Sequence, residues 1–262
     1  MNGSVLLGIL VALTVFFGGL SSSSNNMNIF YNAHALAIVI GGTIAAALVS
    51  FPFKQLWRIK LIVLRKVIGR QGEPIQDVIG EIVLLSALNR EEPENFREKS
   101  KIARDSFLRE ALELYLDSAI PQEKIESLLR KRAEINLLRQ ESEANVIRSI
   151  ARFPPAFGLL GAVMGMITLL RSLGAPDSFK QIGPAMAMAM VATMYGIAMA
   201  NFFLLPISSN LSKLAQEEFL RRSIIIDGIK LIQGGEHPLI VEENLKSYLQ
   251  SGEKVNKKAF AA

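Results

Sequence analysis

Long uncharged, apolar stretches alternate with strongly charged stretches along this chain. Residues 1–53, 153–170 and 181–212 contain no Asp, Glu, Lys or Arg, whereas charged side chains collect in 54–152 and 213–258. A helix needs about 20 apolar residues to cross the ~30 Å hydrocarbon layer of a bilayer. The pattern therefore predicts four membrane-spanning helices, at about 4–20, 33–53, 155–172 and 182–207.

The charged segment between the second and third spans also shows helical periodicity. One amphipathic helix is predicted from Ile102, Phe107, Ala111, Leu114 and Leu116. A second is predicted from Ile125, Leu128, Leu129, Ile135 and Leu138, with Pro121 in its first turn. The predicted fold is all-α: two membrane helices in 1–53, a cytoplasmic helical domain in 54–152, two membrane helices in 153–207, and a cytoplasmic C-terminal helix and tail in 208–262.

Basic residues set the predicted orientation in the membrane. Six of them, with no acid among them, directly follow the second span: Lys54, Arg58, Lys60, Arg65, Lys66 and Arg70. Such a cluster marks the cytoplasmic side, which places both termini in the cytoplasm. The same residues account for the net charge of +5 without a nucleic-acid partner. The first span lacks the basic start and cleavage site of a signal peptide, so we expect it to be retained.

The chain offers little that resembles an enzyme site. It has no cysteine and only two histidines, His34 and His237, which the topology places on opposite sides of the membrane. No phosphate loop, dinucleotide fingerprint or metal-ligand spacing occurs. We therefore predict no catalytic site, no metal and no cofactor.

The predicted spans contain small residues at helical spacing instead of ionisable ones. On the third span these are Gly158, Gly161 and Gly165, and on the fourth they include Ala189 and Gly196. Small faces let membrane helices approach closely. They serve either packing within the subunit or an inner surface for the helix of another protein. Since ionisable side chains are the usual carriers in ion relays, an ion-driven machine built from these spans needs a carboxylate from a partner.

Three further residues are candidates for function. Thr193 lies beside the small face of the fourth span, where its hydroxyl can meet an ion or bond to its own helix backbone. Pro155 lies at the inner start of the third span, a routine position for proline. Pro206 lies at the inner end of the fourth, where it removes a hydrogen bond and is expected to loosen the last turn. The two prolines are candidate joints.

Three segments of the chain resemble the MotA/PomA family, the ion-conducting stator subunits of the bacterial flagellar motor. They are PAFGLLGAVMG at 155–165, IGPAMAMAMVATMYGIAMANFFLLP at 182–206 and AIVIGGT at 37–43. The resemblance implies a ring of five such subunits around two copies of a MotB-type partner. That partner supplies a membrane aspartate and a peptidoglycan anchor, and ion flow turns the ring against the switch-complex protein of the rotor.

The resemblance also implies roles for individual residues. Pro155 and Pro206 match prolines that relay protonation into cytoplasmic movement, and Thr193 matches a threonine near the ion path. Sodium-driven members look to have a second threonine where this chain has Ala162, and an acid where it has Asn32. Both departures remove oxygens that can hold Na⁺, so the expected transported ion is H⁺.

Rotor contacts are the least specific part of the resemblance. Arg109 and Glu110, in the segment SFLREAL, resemble the charged rotor-contact site, and Glu123, Lys124 and Glu126 are further candidates. A solvated helical face is the alternative interpretation of all five charges.

Other functions compete with the flagellar one. An energiser of the TolQ/ExbB type resembles a three-span protein, so the early hydrophobic pair argues against it, and a gliding-type motor is an open alternative. A self-contained channel or transporter would have broken helices and a polar site at the midplane.

Overall fold

The computed structural model describes residues 3–23, 30–68, 72–117, 121–173 and 178–249. Within these ranges every regular element is helical, which confirms the all-α prediction. The apolar helices are α1 (Gly3–Ser23), α2 (Ala33–Ser50), α8 (Phe153–Ser172) and α9 (Ser178–Ala198). The stretches in α2, α8 and α9 are long and apolar enough to cross a membrane, and α1 supplies a shorter one. The chain is a membrane protein with four transmembrane helices.

The charged stretches form the remaining helices. These are α3 (Phe53–Ile68), α4 (Ile75–Glu91), α5 (Pro93–Lys101), α6 (Ser106–Leu116), α7 (Gln122–Ile150), α10 (Leu205–Gln233) and α11 (Pro238–Lys246). A π-helical turn (Met199–Leu204) lies between α9 and α10. The chain divides into two compact units: the first is Met1–Arg70 with Glu141–Ser212, and the second is Gln71–Gln140 with Lys213–Ala262.

Unit 1 is built around the packing of α2, α8 and α9. Every fourth residue of α2 is buried, namely Ala35, Val39, Thr43 and Ala47. This spacing keeps the four side chains on one helical face. The helix α1 contacts the π-helical turn through an edge-to-face pair, Phe16 and Phe202, with ring centroids 5.7 Å apart.

A second cluster of unit 1 involves the amphipathic helix α3. Ile59 is buried against residues of α7 and α10, namely Ala144, Val146, Ile147 and Leu211. The Ser208 hydroxyl, fully buried, donates to the carbonyl of Ala144 at 2.8 Å. This hydrogen bond satisfies a polar group that would be costly to bury alone.

Unit 2 has a separate hydrophobic core. It draws Ile79 and Ile82 from α4, Leu108 and Leu112 from α6, and Ile125 and Leu129 from α7. The rest comes mainly from the C-terminal part of the chain: Ile224, Ile225, Ile226, Ile229 and Ile232 of α10, and Val241 and Leu245 of α11. We expected a C-terminal helix and tail in 208–262. The described part of this segment, up to residue 249, contains α11 and most of α10, and it supplies about a third of the buried residues of this core. These isoleucines recur with helical spacing, so α10 has an apolar face that packs in this core.

Three residues that we predicted on the buried faces of amphipathic helices are exposed. Ile102 ends α5 and is 64% exposed, so it does not belong to the helix α6 that carries Phe107. Ile135 and Leu138 are exposed on α7, whose inward face is Ile125, Leu129 and Ala133. Ile125 and Leu129 are thus buried as predicted, but at a spacing of four residues the buried face of α7 continues at Ala133 and not at Ile135 and Leu138.

Candidate functional site

The helices α8 and α9 run antiparallel and approach each other through glycine. A methyl group added at Gly158 would lie 2.9 Å from the carbonyl oxygen of Ala192 and 3.2 Å from Cα of Thr193. At Gly165 it would lie 2.9 Å from Cβ of Ala189. No side chain fits at these points, so the two backbones pack directly, as is typical of membrane helices.

The other glycines of this contact show the same crowding. A methyl at Gly161 would lie 2.7 Å from Cβ of Ala192, and one at Gly196 would overlap the carbonyl oxygen of Pro154. Gly158, Gly161, Gly165, Ala189 and Gly196 therefore all lie between helices of one chain. Packing within the subunit accounts for this small-residue face, and a partner helix is not required to explain it.

A groove runs along the same two helices. It has a volume of about 620 Å³. Its lining consists of Ala162, Gly165, Met166 and Leu169 from α8 and Ala185, Met186, Ala189, Met190, Thr193, Met194 and Ile197 from α9. The structure thus brings Thr193 and Ala162, the two residues predicted for the ion path, into one lining. Gly165 and Ala189 take part both in the helix contact and in the groove.

The groove is almost entirely apolar. Among the described residues that line it, Thr193 is the one polar side chain, and none is ionisable. Thr193 is half-buried, and its hydroxyl donates to the carbonyl of Ala189 at 3.2 Å. Because the donor is used within the helix, the oxygen lone pairs are what the hydroxyl can offer to a guest. The described part of the chain also has no cluster of His, Cys, Asp or Glu suited to a metal ion.

Asn32 and Tyr195 organise the start of α2. The Asn32 side chain accepts the backbone N–H of Ala35 at 3.0 Å and so caps the helix. The Tyr195 hydroxyl donates to the carbonyl of Phe30 and accepts the N–H of Asn32 at 3.4 Å. Sequence reasoning missed Tyr195; the signal available was a phenol inside a span, which needs a polar partner when buried.

The two candidate prolines occupy different helical environments. Pro155 is half-buried in the first turn of α8, and a methyl at Gly196 would lie 3.1 Å from its Cα. Pro206 is exposed in the first turn of α10, just after the π-helical turn.

The helix does not end near Pro206, where the sequence placed the inner end of the fourth span. The N–H of Leu205 donates to the carbonyl of Ala200, five residues earlier, and the helix continues to Gln233. Proline cannot donate to the carbonyl four residues before it and its ring collides with that carbonyl. A wider π turn relieves this collision while the helix continues.

The predicted rotor-contact residues divide by their contacts in unit 2. The guanidinium of Arg109 donates to the carbonyl of Ala103, at 3.2 Å from Nε and 2.6 Å from Nη2. Glu110 forms an ion pair with Arg132. Both side chains are therefore engaged within the chain.

Glu126 is engaged as well, whereas Glu123 and Lys124 are not. Lys230 donates to the carboxylate of Glu126 at 3.1 Å, and this bond, with a second from Arg130, holds the pKa of that carboxyl below its usual range. Glu123 and Lys124 are exposed and form no ion pair with the described residues. Sequence spacing alone did not distinguish these two groups.

The sequence of this groove and of the helices around it matches a known family. A model of the MotA/TolQ/ExbB proton channel family matches residues 99–224, which include α6 to α9 and most of α10. Chemotaxis and motility proteins align with this chain along nearly its whole length. Just under half of this chain therefore matches the MotA/TolQ/ExbB proton channel family, and the match includes both helices that line the groove.

Three relatives each align with more than nine tenths of this chain. Chemotaxis protein PomA of Vibrio alginolyticus is 28% identical over 259 residues, 97% of this chain and 98% of its own. Motility protein A of Aquifex aeolicus is 28% identical over 248 residues, 92% of each chain. Motility protein A of Bacillus subtilis is 26% identical over 258 residues, 97% of this chain and 93% of its own.

Two solved MotAB structures share the fold of this chain. The C. jejuni MotAB structure has a TM-score of 0.85 at 21% identity and covers 98% of this chain and 100% of its own. The flagellar MotAB stator complex of Bacillus subtilis has a TM-score of 0.85 at 24% identity and covers 95% and 96%. The four membrane helices of this chain therefore have the MotA arrangement.

Gly196→Ala should weaken the α8–α9 contact. The added methyl meets the backbone of Pro154, which cannot move aside as a flexible side chain can, and overpacking of this kind costs about 1–3 kcal/mol. The melting temperature of the purified protein in detergent should fall. Gly183→Ala is the matched control, because it lies in the same helix with no heavy atom near the new methyl. The control should melt at or slightly above the native temperature; a fall equal to that of Gly196→Ala contradicts the packing account.

Proposed function

We propose that this chain is the ion-conducting stator subunit of a bacterial flagellar motor. In this role it couples proton flow across the inner membrane to torque on the rotor, together with a MotB-type partner. The observation that carries the proposal is a groove on α8 and α9 that is long, apolar and free of ionisable side chains among its described residues. Such a groove suits a partner helix, and the partner then has to bring the carboxylate that carries the ion.

The chemistry of the groove supports protons as the transported ion. A dehydrated Na⁺ needs several oxygen ligands, and the lining offers one hydroxyl oxygen, on Thr193, in addition to backbone carbonyls. Ala162 adds a methyl group where a second hydroxyl could stand. A proton carried on the acid of a partner needs no such cage, so a neutral lining is sufficient. The name of the family, which includes proton channels, agrees with this assignment.

The proposed assembly is a ring of this subunit around the partner, with five copies around two. Relatives of the same fold were solved as MotAB complexes, which supports a second kind of subunit. Large apolar side chains on α8 and α9 remain uncovered in the single chain, including Leu159, Met166 and Met190. Lipid and neighbouring subunits are the surroundings that such side chains require. Both termini are placed in the cytoplasm, as the basic flank after α2 indicates.

The stator assignment can be tested in cells that lack their own stator. Co-expression of this chain with a MotB-type partner should restore swimming in sodium-free buffer, and either protein alone should not. Ala162→Leu should abolish swimming while the partner still copurifies, because the larger side chain narrows the groove beside Thr193. Val163→Leu is the matched control on the same helix, since Val163 is exposed and does not line the groove.

Three results would count against this account. Swimming that requires sodium defeats the proton assignment. Equal loss in Val163→Leu defeats the role of the groove. Purified alone and placed in vesicles, the chain should leave a pH gradient intact, and selective current without the partner defeats the need for a carboxylate from another subunit.

We also propose that Pro155 and Pro206 transmit movement from the groove to the cytoplasmic helices. Pro206 maintains a π-helical turn within a few residues of Ile197, which lines the groove. The hydrogen bonds of a π turn join residues five apart, and they can shift by one residue to the α-helical pattern of bonds between residues four apart. Such a shift moves one part of the helix relative to the other.

Pro206→Ala should reduce or abolish swimming without loss of partner binding, because alanine supplies the missing N–H and favours a regular α-helix. Pro184→Ala is the matched control: Pro184 also lies inside a helix, is exposed, and is remote in sequence from the π turn. Swimming speed and copurification of the partner are the measurements. If both variants swim normally, Pro206 has no role in coupling.

Contact with the rotor is assigned to the charged surface of α6 and α7, with Arg109, Glu110, Glu123, Lys124 and Glu126 as candidates. Glu123 and Lys124 are exposed and form no ion pair within the part of the chain that the structure describes, which favours these two as first contacts. Arg109 has a second role, because its guanidinium binds the carbonyl of Ala103 in the link between α5 and α6.

Arg109→Lys separates the two roles of Arg109. Lysine keeps the charge but loses the two-pronged bond to Ala103. If the rotor recognises the charge of residue 109, Arg109→Lys should retain torque and Arg109→Glu should lose it. Replacement of an acidic residue of the rotor by a basic one should then restore torque to Arg109→Glu. Equal loss of torque and of melting temperature in both variants would show that Arg109 acts only within the chain.

A further inference from the structure

The helix α3 has apolar side chains on two opposite faces, and the subunit covers only one of them. The covered face consists of Leu56, Ile59, Ile62 and Val63, which pack with residues of α7 and α10. The other face consists of Phe53, Trp57, Leu61 and Leu64, which are 67%, 54%, 45% and 56% exposed. Recurrence at i, i+4, i+8 and i+11 places these four side chains in one stripe along the helix.

Aromatic and basic groups are combined on this exposed stripe. The rings of Phe53 and Trp57 stack with their centroids 6.3 Å apart. The ammonium group of Lys60 lies 5.1 Å from the centre of the Trp57 ring. By helical geometry Lys60 flanks one side of the stripe and Lys54 flanks the other. A lysine beside an apolar stripe can extend its charge toward headgroups while its methylene chain covers apolar surface.

The helix begins directly at the membrane. Only Phe51 and Pro52 separate it from α2, and the carbonyl of Pro52 accepts the N–H groups of Gln55 and Leu56 at 2.9 and 3.2 Å. A link of two residues spans at most about 7 Å. On its covered face, α3 packs on Ile147 and Leu211, which lie within two helical turns of Phe153 and Pro206, where the apolar helices α8 and α9 reach the cytoplasmic side. The stripe therefore lies at the level of the inner membrane surface.

The exposed stripe of α3 could be covered by lipid or by a second copy of the chain, and the charge of the helix favours lipid. The helix contains five basic residues and no acid. Arg58 pairs with Glu143 at 3.4 Å, whereas Lys54 and Lys60 form no ion pair with the described residues. An interface between two copies of this face would bury like charges, which is unfavourable. Anionic headgroups of a bacterial inner leaflet supply the opposite charge over the whole length of the stripe.

We propose that the exposed face of α3 lies in the headgroup region of the inner leaflet and binds acidic phospholipids in preference to zwitterionic ones. Phe53, Trp57, Leu61 and Leu64 enter the boundary between headgroups and acyl chains. Lys54 and Lys60 bind the phosphates. The site thereby fixes the depth of α3, to which α7 and α10 are attached through Ile59.

Trp57 is the single tryptophan of the chain, so its fluorescence reports on this face alone. The full-length protein is reconstituted into bilayers of phosphatidylcholine in which a fixed fraction is replaced by brominated phosphatidylglycerol or, in parallel, by brominated phosphatidylcholine. Bromine quenches tryptophan at contact. Both lipids should quench Trp57, and phosphatidylglycerol should do so at a several-fold lower mole fraction, since each lysine near an anionic surface favours binding by roughly fivefold.

In the double variant Lys54→Gln with Lys60→Gln, the two brominated lipids should quench Trp57 at nearly equal mole fractions. Quenching by brominated phosphatidylcholine should persist, which shows that the variant remains folded and inserted. Lys99→Gln with Lys101→Gln changes the net charge equally in unit 2 and should leave the preference intact. Three outcomes overturn the proposal. They are equal quenching by both lipids in the native chain, a preference that survives loss of Lys54 and Lys60, and shielding of Trp57 from both lipids, which indicates cover by a second copy.

Discussion

Close backbone contact between α8 and α9 is the interaction on which the membrane unit depends. In a bilayer the apolar side chains of a helix gain nothing from meeting those of another helix, because lipid tails are equally apolar. What remains is dispersion between surfaces that fit, and Gly158, Gly161, Gly165 and Gly196 provide that fit by leaving no side chain in the way. The groove lies beside this contact. Gly165 and Ala189 belong to both, and three methionines of α9, Met186, Met190 and Met194, line the groove.

The neutrality of the groove follows from the cost of charge in the membrane. An ionisable side chain at the centre of a span costs a few kcal/mol on insertion scales, and more in the absence of water. A subunit that inserts without its partner avoids this cost if its own spans are uncharged. Thr193 is compatible with this solution, since its donor is satisfied by the carbonyl of Ala189 within the same helix. The hydroxyl is thus inexpensive to bury in the lone subunit and still has oxygen lone pairs for the complex.

The sequence predicted the membrane helices well because each of them lies mostly in a long stretch without charged residues. The absence of charge over about 20 residues is enough to distinguish a membrane segment from one in water. The sequence predicted less about unit 2. Ile224 and Ile229 pack with Ile82 from a helix more than a hundred residues earlier, and no local pattern identifies such a pairing. The groove was only partly predictable. Thr193 was a candidate because its hydroxyl lies beside the small face of the fourth span, and Ala162 was identified through the resemblance to stators, whereas Tyr195 and the π turn depend on three-dimensional contacts. The continuation of the helix through Pro206 requires knowledge that the chain can widen its turn instead of ending it.

Several charged side chains of unit 2 are bound within the chain, so fewer of them are available for contact with a rotor than the sequence suggests. Asp105 caps α6 by accepting the N–H groups of Phe107 and Leu108 and also pairs with Arg221 at 3.1 Å, so it is a structural residue. Glu126 is bound by Lys230 and Arg130, and these bonds keep it ionised to a lower pH than a free glutamate. Since its pKa is lowered on folding, the associated stability is present above the ordinary glutamate pKa and is lost as the pH falls through the folded value. A rotor that binds Glu126 must compete with these internal partners, whereas Glu123 and Lys124 can meet it without losing any ion pair to the described residues. Exposed charges of this kind increase the rate of encounter more than the affinity, and fast, reversible contact is what a stator that steps repeatedly along a rotor requires.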